Sequence, residues 1–275
     1  MEILDGKLLS NNIKEEIKNE ILNYEDKPTL AVISIGNDES SKVYIANKKK
    51  ACEYVGINFI HIVFDEKSKE VEIINKIHEL NNNRKIDGIL IQLPLPSNFD
   101  ETKLINEINP DKDVDGITQV SVGKQYLNDC LFIPCTVKGI MKIFDYYNID
   151  LEGKNVVIVG RSNIVGYPSL IECLKRNATV TICHSRTKNL KEFTKKADIL
   201  IVAVGKKHLI TKDMIKKDSI IIDVGITREN NKIYGDVSED VDKVCSLKTK
   251  VPGGVGPLTV AMLLENTLIA YKNRK

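Results

Sequence analysis

Strand-like and helix-like segments alternate along this 275-residue chain, and this alternation limits the possible folds more than any other feature. Isoleucines spaced four residues apart at Ile13, Ile17 and Ile21 predict a first helix. The next segments predict strands and helices in turn: a strand at Leu30–Ile35, a helix at Ser40–Tyr54, a strand at Ile57–Val63, a helix at Ser68–Leu80 and a strand at Gly88–Gln92. This order is typical of a parallel α/β layer.

A second run of the same kind begins near Gly139. Its predicted strands are Val156–Val159, Thr179–Cys183, Ile199–Val202 and Ile220–Asp223. A helix around Val137–Tyr147 is the expected connector, and a last helix from Pro257 to about Asn273 is expected to return to the first run. We therefore predict two α/β domains with a cleft between them.

The composition excludes several classes of protein. Lysine and arginine total 40, and aspartate and glutamate total 38, so the charge balance predicts neither a nucleic-acid nor a membrane partner. No uninterrupted apolar run approaches about 18 residues, and the N-terminus lacks the apolar core of a signal peptide. The six cysteines form no C-x-x-C pair and do not combine with the four histidines at zinc-like spacing. We expect reduced thiols, no metal site and a cytoplasmic location.

The stretch Val251–Thr259 holds three glycines and two prolines and carries no charge. This composition argues against a regular helix or a central strand, and the stretch has none of the Ser, Asn or Asp typical of a solvated loop. It runs into an apolar helix predicted at Thr259–Tyr271. Glycine leaves room for a ligand and a helix N-terminus offers free N–H groups, so the stretch indicates backbone close to a ligand. A tight structural turn is the alternative.

The segment Gly160–Gly166 follows a predicted strand and precedes a predicted helix, which is where a Rossmann-type unit holds a pyrophosphate. Its spacing is not G-x-G-x-x-G, so a plain strand-to-helix turn is equally open. The next strand ends at Cys183–Thr187 without the acid that NAD-binding units often place there. Arg161, Ser185 and Arg186 would suit a 2′-phosphate, although they also fit a solvated loop. Together these features favour NADP over NAD.

Three further polar positions lie in the first half of the chain. Tyr44 and Lys48 are four residues apart and share one helix face, which is most often simply a solvated face. Gln92 ends an apolar strand, where open α/β sheets bind ligands, and a buried amide there needs a partner. The segment Asp111–Gly116 lacks the rest of a calcium loop and reads as an acidic turn, with Asp115 facing a cleft.

These segments, taken in order, resemble those of the methylenetetrahydrofolate dehydrogenase/cyclohydrolase family, called FolD in bacteria, over nearly the whole chain. The resemblance rests on Ser41–Tyr44 with Lys48, Gly88–Pro96, Lys112–Gly116, Pro134–Thr136, Gly160–Gly166, Cys183–Ser185 and Val251–Pro257. It implies a folate-binding catalytic domain at residues 1–136 plus 257–275 and an NADP-binding Rossmann-type domain at 137–256. It also implies a homodimer that binds tetrahydrofolate derivatives and NADP⁺.

The resemblance implies two reactions: oxidation of 5,10-methylenetetrahydrofolate by NADP⁺, and hydrolysis of the 5,10-methenyl product to 10-formyltetrahydrofolate. Lys48 is then central to the hydrolysis, Tyr44 contacts the folate, Gln92 tunes Lys48 and Asp115 binds the pterin. The implied substrate-binding residues are Tyr44, Lys48, Gln92, Leu93, Asp115, Pro252, Gly253 and Gly254. The implied cofactor-binding residues are Gly160, Arg161, Ser162, Ile164, His184, Ser185, Val204, Gly205, Ile226 and Thr259.

Four residues depart from the family pattern beside these positions: Val137, Tyr167, Lys207 and Lys250. They put loop geometry and cofactor affinity in question rather than the class of reaction. Two other functions remain open, a monofunctional dehydrogenase and a catalytically silent protein that binds folate or a dinucleotide. The joint presence of Tyr44, Lys48, Gln92 and Asp115 argues against the silent protein. The retention of Lys48 argues, less strongly, against the monofunctional dehydrogenase.

Overall fold

The computed structural model describes residues 1–230 and 232–274, and the chain divides into two units. The three-stranded unit comprises Asn11–Cys135 and the chain from Val260 onward. The six-stranded unit comprises Met1–Ser10 and Thr136–Thr259. This division differs from the predicted domain bounds chiefly at the first ten residues, because Glu2–Leu4 forms a strand that pairs with Leu247–Thr249.

In the three-stranded unit, strands and helices alternate as the sequence pattern predicts. The strands are β2 (Thr29–Ile35), β3 (Asn58–Phe64) and β4 (Gly88–Ile91). The helices lying wholly or largely in this unit are α1 (Gly6–Ile21), α2 (Glu39–Val55), α3 (Glu70–Asn82), α4 (Glu101–Asn106), α5 (Gln119–Tyr126) and α9 (Val255–Arg274).

The sheet of this unit is parallel with the order β3-β2-β4. Every residue of the central strand β2 is buried, as expected for a parallel strand covered on both faces. Helix α2 begins where the Asp38 side chain accepts the Ser41 backbone N–H at 2.7 Å, and it ends at Gly56 in the left-handed conformation, with φ 86°. These two caps fix where the helix starts and stops, and therefore which of its residues lie near the ends of β2 and β4.

The six-stranded unit contains the remaining elements. Its strands are β1 (Glu2–Leu4), β5 (Asn155–Val159), β6 (Thr179–Cys183), β7 (Ile199–Val202), β8 (Ile220–Asp223), β9 (Thr227–Glu229), β10 (Lys232–Tyr234) and β11 (Leu247–Thr249). Its helices are α6 (Cys135–Tyr146), α7 (Gly166–Lys175) and α8 (Leu190–Thr194).

The large sheet is parallel throughout, with the order β1-β11-β8-β7-β5-β6, and β9 pairs with β10 in a separate antiparallel hairpin. From β5 the chain crosses through α7 to β6 on one side, whereas β7 and β8 lie on the other side of β5. The carboxyl ends of β5 and β7 therefore flank the point at which the crossovers diverge, which is where open α/β sheets bind ligands.

The predicted α/β class with parallel sheets is confirmed. One expectation about the glycine-rich stretch is wrong, because α9 begins at Val255 and Val255–Thr259 is helical. Pro257 is tolerated there because the first turn of a helix needs no backbone N–H donor to a preceding carbonyl. Over the described ranges 1–230 and 232–274, no helix is long and apolar enough to cross a membrane.

Candidate active site

A lysine, an amide and a carboxyl group meet inside the three-stranded unit. Lys48 lies on α2, and its Nζ donates to Gln92 Oε1 at 2.9 Å. Gln92 directly follows β4, and its Nε2 donates to the Leu93 carbonyl at 2.7 Å. Because the Leu93 carbonyl can only accept, this contact fixes the amide with its oxygen toward the lysine. Gln92 thus holds Lys48 through a neutral acceptor.

Burial lowers the pKa of Lys48 below its usual 10.5, and the nearby Asp115 carboxyl only partly opposes this effect. Burial likewise raises the pKa of Asp115, although Lys48 acts in the other direction. Desolvation is the larger cause for both groups, so each is shifted toward its neutral form. An amine in this environment reaches its proton-accepting state at lower pH than a solvated lysine, as a general base requires.

The turn that carries Asp115 is built by a buried neighbour. Asp113 accepts the backbone N–H groups of Gly116 and Ile117 through Oδ1, at 3.0 and 3.3 Å, and that of Thr118 through Oδ2 at 2.8 Å. Gly116 has φ 70°, and a Cβ there would lie 2.8 Å from the Ile133 carbonyl carbon. The acidic turn expected from the sequence is therefore a closed structure that the Asp113 carboxylate supports, and it carries Asp115.

Two side chains hold the carbonyl immediately before Asp115. Asn266 of α9 donates from Nδ2 to the Val114 carbonyl at 2.8 Å, and the Cys135 thiol donates to the same oxygen at 3.3 Å. Sequence analysis singles out neither Asp113 nor Asn266 as functional. A signal for Asp113 exists in the Lys112–Gly116 segment, whereas Asn266 lies in an apolar helix with nothing to distinguish it.

The structure places Tyr44 one turn before Lys48 on α2, with 37% of its surface exposed. Leu93 is partly buried against the core cluster of this unit. The residues predicted from the first half of the chain thus belong to one helix, one strand end and one turn.

In the six-stranded unit, the segment after β5 forms a tight turn into α7. A Cβ on Gly160 would lie 2.4 Å from the Ala203 carbonyl oxygen, and one on Gly166 would lie 2.4 Å from the Gly160 carbonyl oxygen. Gly160 also has φ 124°, a backbone conformation that residues other than glycine rarely adopt. Ser162 Oγ accepts the N–H groups of Val165 and Gly166 at 3.2 and 3.4 Å. The turn leaves Arg161 and Ile164 exposed.

The ends of β5 and β6 are joined, because Gly160 N–H donates to the Cys183 carbonyl at 2.9 Å. Arg161 and His184 therefore each follow directly after a paired residue. His184 donates its N–H to Thr187 Oγ1 at 2.8 Å, while its Nδ1 accepts from the Arg186 N–H at 3.1 Å. This turn leaves Ser185 exposed and presents no carboxylate at the end of β6.

The other predicted cofactor residues follow neighbouring elements. Val204 and Gly205 follow β7, and Ile226 follows β8 with 41% of its surface exposed. Thr259 Oγ1 lies 3.2 Å from Thr136 Oγ1 in a hydroxyl–hydroxyl hydrogen bond. These positions lie at or beyond the carboxyl ends of the strands, except Thr259, which lies in the first turns of α9.

The glycine-rich turn before α9 packs tightly against the start of α1. Lys7 N–H donates to the Gly253 carbonyl at 2.9 Å, and a Cβ on Gly6 would lie 1.9 Å from the Gly254 carbonyl oxygen. Gly253 has φ 103° and Pro252 is exposed. The glycine-rich stretch is thus a tight structural turn, because its glycines pack against α1. It also leaves Pro252 exposed, so the turn and a ligand contact are compatible.

Within the part of the chain that the structure describes, no group of three or more His, Cys, Asp or Glu side chains is placed to hold a metal ion. The candidate groups are the half-buried Lys48 amine, the Gln92 amide and the Asp115 carboxyl group in the three-stranded unit. The six-stranded unit contributes a glycine turn at a sheet switch point. A glycine turn that follows a strand at the switch point of a parallel sheet is characteristic of dinucleotide-binding α/β proteins.

Comparison with known proteins specifies the family. Residues 4–115 match the catalytic domain of tetrahydrofolate dehydrogenase/cyclohydrolase, and residues 134–275 match the NAD(P)-binding domain of the same family. The chain belongs to this family. It is 50% identical to the bifunctional protein FolD of Aquifex aeolicus strain VF5, over 99% of this chain and 96% of that protein.

Solved structures show the same relationship. The bifunctional FolD methylenetetrahydrofolate dehydrogenase/cyclohydrolase of Campylobacter jejuni matches with a TM-score of 0.98 and 44% identity over all of both chains. The dehydrogenase-cyclohydrolase of Trypanosoma brucei, complexed with NADP and an inhibitor, matches with a TM-score of 0.94 and 30% identity, covering 98% of this chain and 97% of that one.

Proposed function

We propose that this chain oxidises 5,10-methylenetetrahydrofolate with NADP⁺ and hydrolyses the resulting 5,10-methenyl cation to 10-formyltetrahydrofolate. Its membership of the bifunctional family supports both reactions. The observation that carries the proposal is the Lys48–Gln92 hydrogen bond of 2.9 Å beside the half-buried Asp115, in the same chain as the Gly160–Gly166 turn.

Lys48 is the proposed base for the hydrolysis. Water adds to the methenyl carbon, and the bond from this carbon to N5 then breaks, which leaves the formyl group on N10. The step releases one proton, and a neutral Lys48 Nζ can accept it from the attacking water. A cationic substrate close to Lys48 favours the neutral amine further, while Gln92 holds the amine without adding a negative charge.

Asp115, Tyr44, Leu93, Pro252, Gly253 and Gly254 are the proposed contacts for the folate. Asp115 suits the pterin because a carboxyl group can pair with the donor nitrogens of such a ring. Tyr44 supplies an exposed aromatic face one turn from Lys48.

The Gly160–Gly166 turn fits a dinucleotide, because its two glycines occupy positions where a Cβ would clash and the turn leads into the N-terminus of α7. When bound, NADP⁺ supplies the hydride acceptor. Ser162, Ile164, Val204, Gly205, Ile226 and Thr259 are proposed to position it. Arg161, His184 and Ser185 are proposed to favour the 2′-phosphate, since β6 ends without a carboxylate that would repel this group.

We further propose that the protein acts as a homodimer in the cytoplasm. The family resemblance supports the dimer, and the reduced cysteines support the compartment: the structure has Cys52, Cys135, Cys173, Cys183 and Cys245 buried and without disulfides. Sedimentation or size-exclusion measurement of the molecular mass tests the dimer.

A two-wavelength assay tests the function, since NADPH appearance reports the oxidation and loss of methenyl absorbance reports the hydrolysis. We expect Lys48→Met to abolish the hydrolysis while the fold is kept, because a thioether fills similar volume but accepts no proton. The matched control is Lys49→Met, which changes an exposed neighbouring lysine. Hydrolysis by Lys48→Met at a near wild-type rate contradicts the role of Lys48. A wild type that oxidises but does not hydrolyse would favour the monofunctional dehydrogenase. A wild type that has neither activity would favour the silent protein.

A further inference from the structure

A buried carboxylate binds three consecutive backbone N–H groups at the end of β7. Asp236 Oδ2 accepts from Val204 and Gly205 at 2.7 and 3.1 Å, and Oδ1 accepts from Lys206 at 2.6 Å. Asp236 has no solvent exposure. The three donors offset the cost of burying this carboxylate, and the carboxylate in turn satisfies the N–H groups of the loop 204–206.

Asp236 is itself fixed by a second carboxyl group. Asp223, the last residue of β8, accepts the Asp236 N–H through Oδ1 and the Val237 N–H through Oδ2, both at 3.0 Å. The Asp223 N–H in turn donates to Thr249 Oγ1 of β11 at 2.8 Å. The position of the loop after β7 is therefore tied to β8, the neighbouring strand, and through β8 to β11.

Two glycines make room for this arrangement. A Cβ on Gly225 would lie 2.0 Å from Asp236 Cγ, and a Cβ on Gly235 would lie 1.9 Å from Asp223 Oδ2. Neither glycine has a positive φ, so the absence of a side chain, not conformational freedom, explains the residue type. Each carboxyl group thus occupies a space that any other residue type at the facing glycine would fill.

The loop 204–206 lies beside the Gly160–Gly166 turn, which is called the dinucleotide turn below. Ala203 and Val204 lie directly against Gly160: a Cβ on Gly160 would be 2.4 Å from the Ala203 oxygen and 3.4 Å from Val204 Cγ1. Strands β5 and β7, which lead into these two segments, are neighbours in the sheet. A displacement of the 204–206 loop therefore changes the space beside the turn that holds the phosphates.

We propose that Asp236 is a positioning residue for dinucleotide binding, an inference that rests on the proposed function. It acts through the loop and not by touching the cofactor. Because its carboxylate already binds the N–H groups of residues 204–206, these groups do not bind phosphate. The phosphates are left to the Gly160–Gly166 turn and the N-terminus of α7, while the loop contributes its side chains and carbonyls.

The test is Asp236→Asn, which keeps the volume of the side chain but turns an amide NH₂ toward a backbone N–H. The three-donor arrangement is then lost. We expect the Kd of NADP⁺, measured by direct titration without folate, to rise at least about fivefold. The dehydrogenase kcat at saturating NADP⁺ is expected to stay within about twofold, and the hydrolysis of methenyltetrahydrofolate without NADP⁺ to be unchanged.

Asp198→Asn is the matched control. The Asp198 carboxylate also accepts a backbone N–H, that of Asn155 at 2.8 Å, and pairs with Lys216, but it lies at the opposite ends of β5 and β7. We expect this variant to lose stability and keep its affinity for NADP⁺. An equal rise of Kd in both variants, or no rise in Asp236→Asn, overturns the proposal.

If Asp236→Asn does not fold, the Kd of NADP⁺ for Asp223→Asn tests the proposal instead. This variant leaves the Asp236 carboxylate in place but weakens its support, so a smaller rise of the NADP⁺ Kd is expected, and an unchanged Kd overturns the proposal. A wild-type protein that binds NADP⁺ but lacks oxidation activity contradicts the proposed function alone. The Kd comparison still stands in that case.

Discussion

At the scale of single residues, the chemistry of the candidate site depends on the neutrality of Gln92. Lys48 is half-buried, and desolvation is the main cause of its lowered pKa. A carboxylate in place of the amide would stabilise the charged amine at a distance of about one hydrogen bond, so it would oppose that effect directly. An amide at the end of β4 therefore leaves the pKa of Lys48 lowered, as the proposed role of this lysine as a base requires.

We predict that Gln92→Glu moves the rising limb of the pH profile for methenyltetrahydrofolate hydrolysis to higher pH. The new carboxylate raises the pKa of Lys48, so a smaller fraction of the enzyme carries the neutral amine at pH 7. The rate at pH 7 is expected to fall about tenfold or more, because a rise of the Lys48 pKa by about one unit, or about 1.4 kcal/mol, reduces the fraction of neutral amine about tenfold. Rates measured from pH 6 to pH 10 check this.

Gln119→Glu is the control, since it adds the same charge at an exposed residue at the start of α5. An unshifted profile in Gln92→Glu, or an equal shift in both variants, contradicts the assignment of Lys48 as the base.

The sequence predicts the members of this cluster, but not what supports them. Gln92 is found because a polar residue at the end of an apolar strand needs a partner, and Lys48 because of its helix face and the family resemblance. Asn266 is not found because its contact with Val114 joins residues 152 positions apart. A hydrogen bond between such distant residues leaves no local pattern in a sequence.

At the scale of elements, the dinucleotide turn and the end of β6 work together. The Gly160 N–H to Cys183 carbonyl bond joins the two strands immediately before Arg161 and His184. Exposed Arg161 and Ser185 are thus presented from two adjacent strand ends. A 2′-phosphate needs donors of this kind and no nearby carboxylate.

We predict a preference for NADP⁺ over NAD⁺, and that Arg161→Ala combined with Ser185→Ala erodes it. Loss of a charge-assisted contact to phosphate costs about 1.5–3 kcal/mol, which corresponds to roughly a tenfold to hundredfold loss of kcat/KM with NADP⁺. The kcat/KM with NAD⁺ should hardly change, because the ribose 2′-OH carries no charge.

Lys188→Ala is a suitable control, because it removes an exposed cation a few residues beyond β6. Equal or better kcat/KM of the wild type with NAD⁺ would contradict the predicted preference. That outcome would favour a different use of Arg161, as a ligand for inorganic phosphate beside NAD⁺.

Strands of four or more residues are predictable from the sequence, whereas those of three residues are not. The predicted segments at Thr179–Cys183, Ile199–Val202 and Ile220–Asp223 coincide with β6, β7 and β8. Strands β1, β9, β10 and β11 have three residues each, which is too short for hydrophobic alternation to show. They form because partner strands supply hydrogen bonds, as Ile3 and Lys248 show in pairing β1 with β11.

The hairpin of β9 and β10 also explains one departure from the family pattern. Lys207, which stands where proline is usual, lies 3.7 Å from the centre of the Tyr234 ring and pairs with Glu229. It thereby joins the loop after β7 to both strands of the hairpin. The side chain restrains this loop by contacts, whereas a proline would restrain it through its fixed φ.

At the scale of the whole molecule, the sequence predicts two α/β units but not the membership of the N-terminus. Met1–Ser10 belongs to the six-stranded unit because β1 extends the sheet beyond β11. The same unit contains the Asp223 and Asp236 carboxyl groups, which lie in segments that sequence analysis does not single out as functional. Their pairing influences the stability of the folded chain as well as the loop it supports.

We predict that Asp223 makes the free energy of unfolding decrease as the pH rises from about 4 to about 7. Burial, together with the nearby Asp236 carboxylate, raises the pKa of Asp223 from 3.8 to about 7. Between these values the folded chain holds a proton that the unfolded chain has released, so the stabilisation present below pH 3.8 is lost as the pH rises. The expected slope is about −1.4 kcal/mol per pH unit.

Urea denaturation of the wild type and of Asp223→Asn across pH 4 to 8 checks this, because the asparagine does not titrate. The difference between the two unfolding free energies should fall through this window and level off above pH 7. Asp198→Asn is a control of opposite sign: the Lys216 ion pair lowers the pKa of Asp198, so its stabilisation is lost as the pH falls. Parallel curves for wild type and Asp223→Asn would show that Asp223 is ionised throughout, with its three backbone donors outweighing burial.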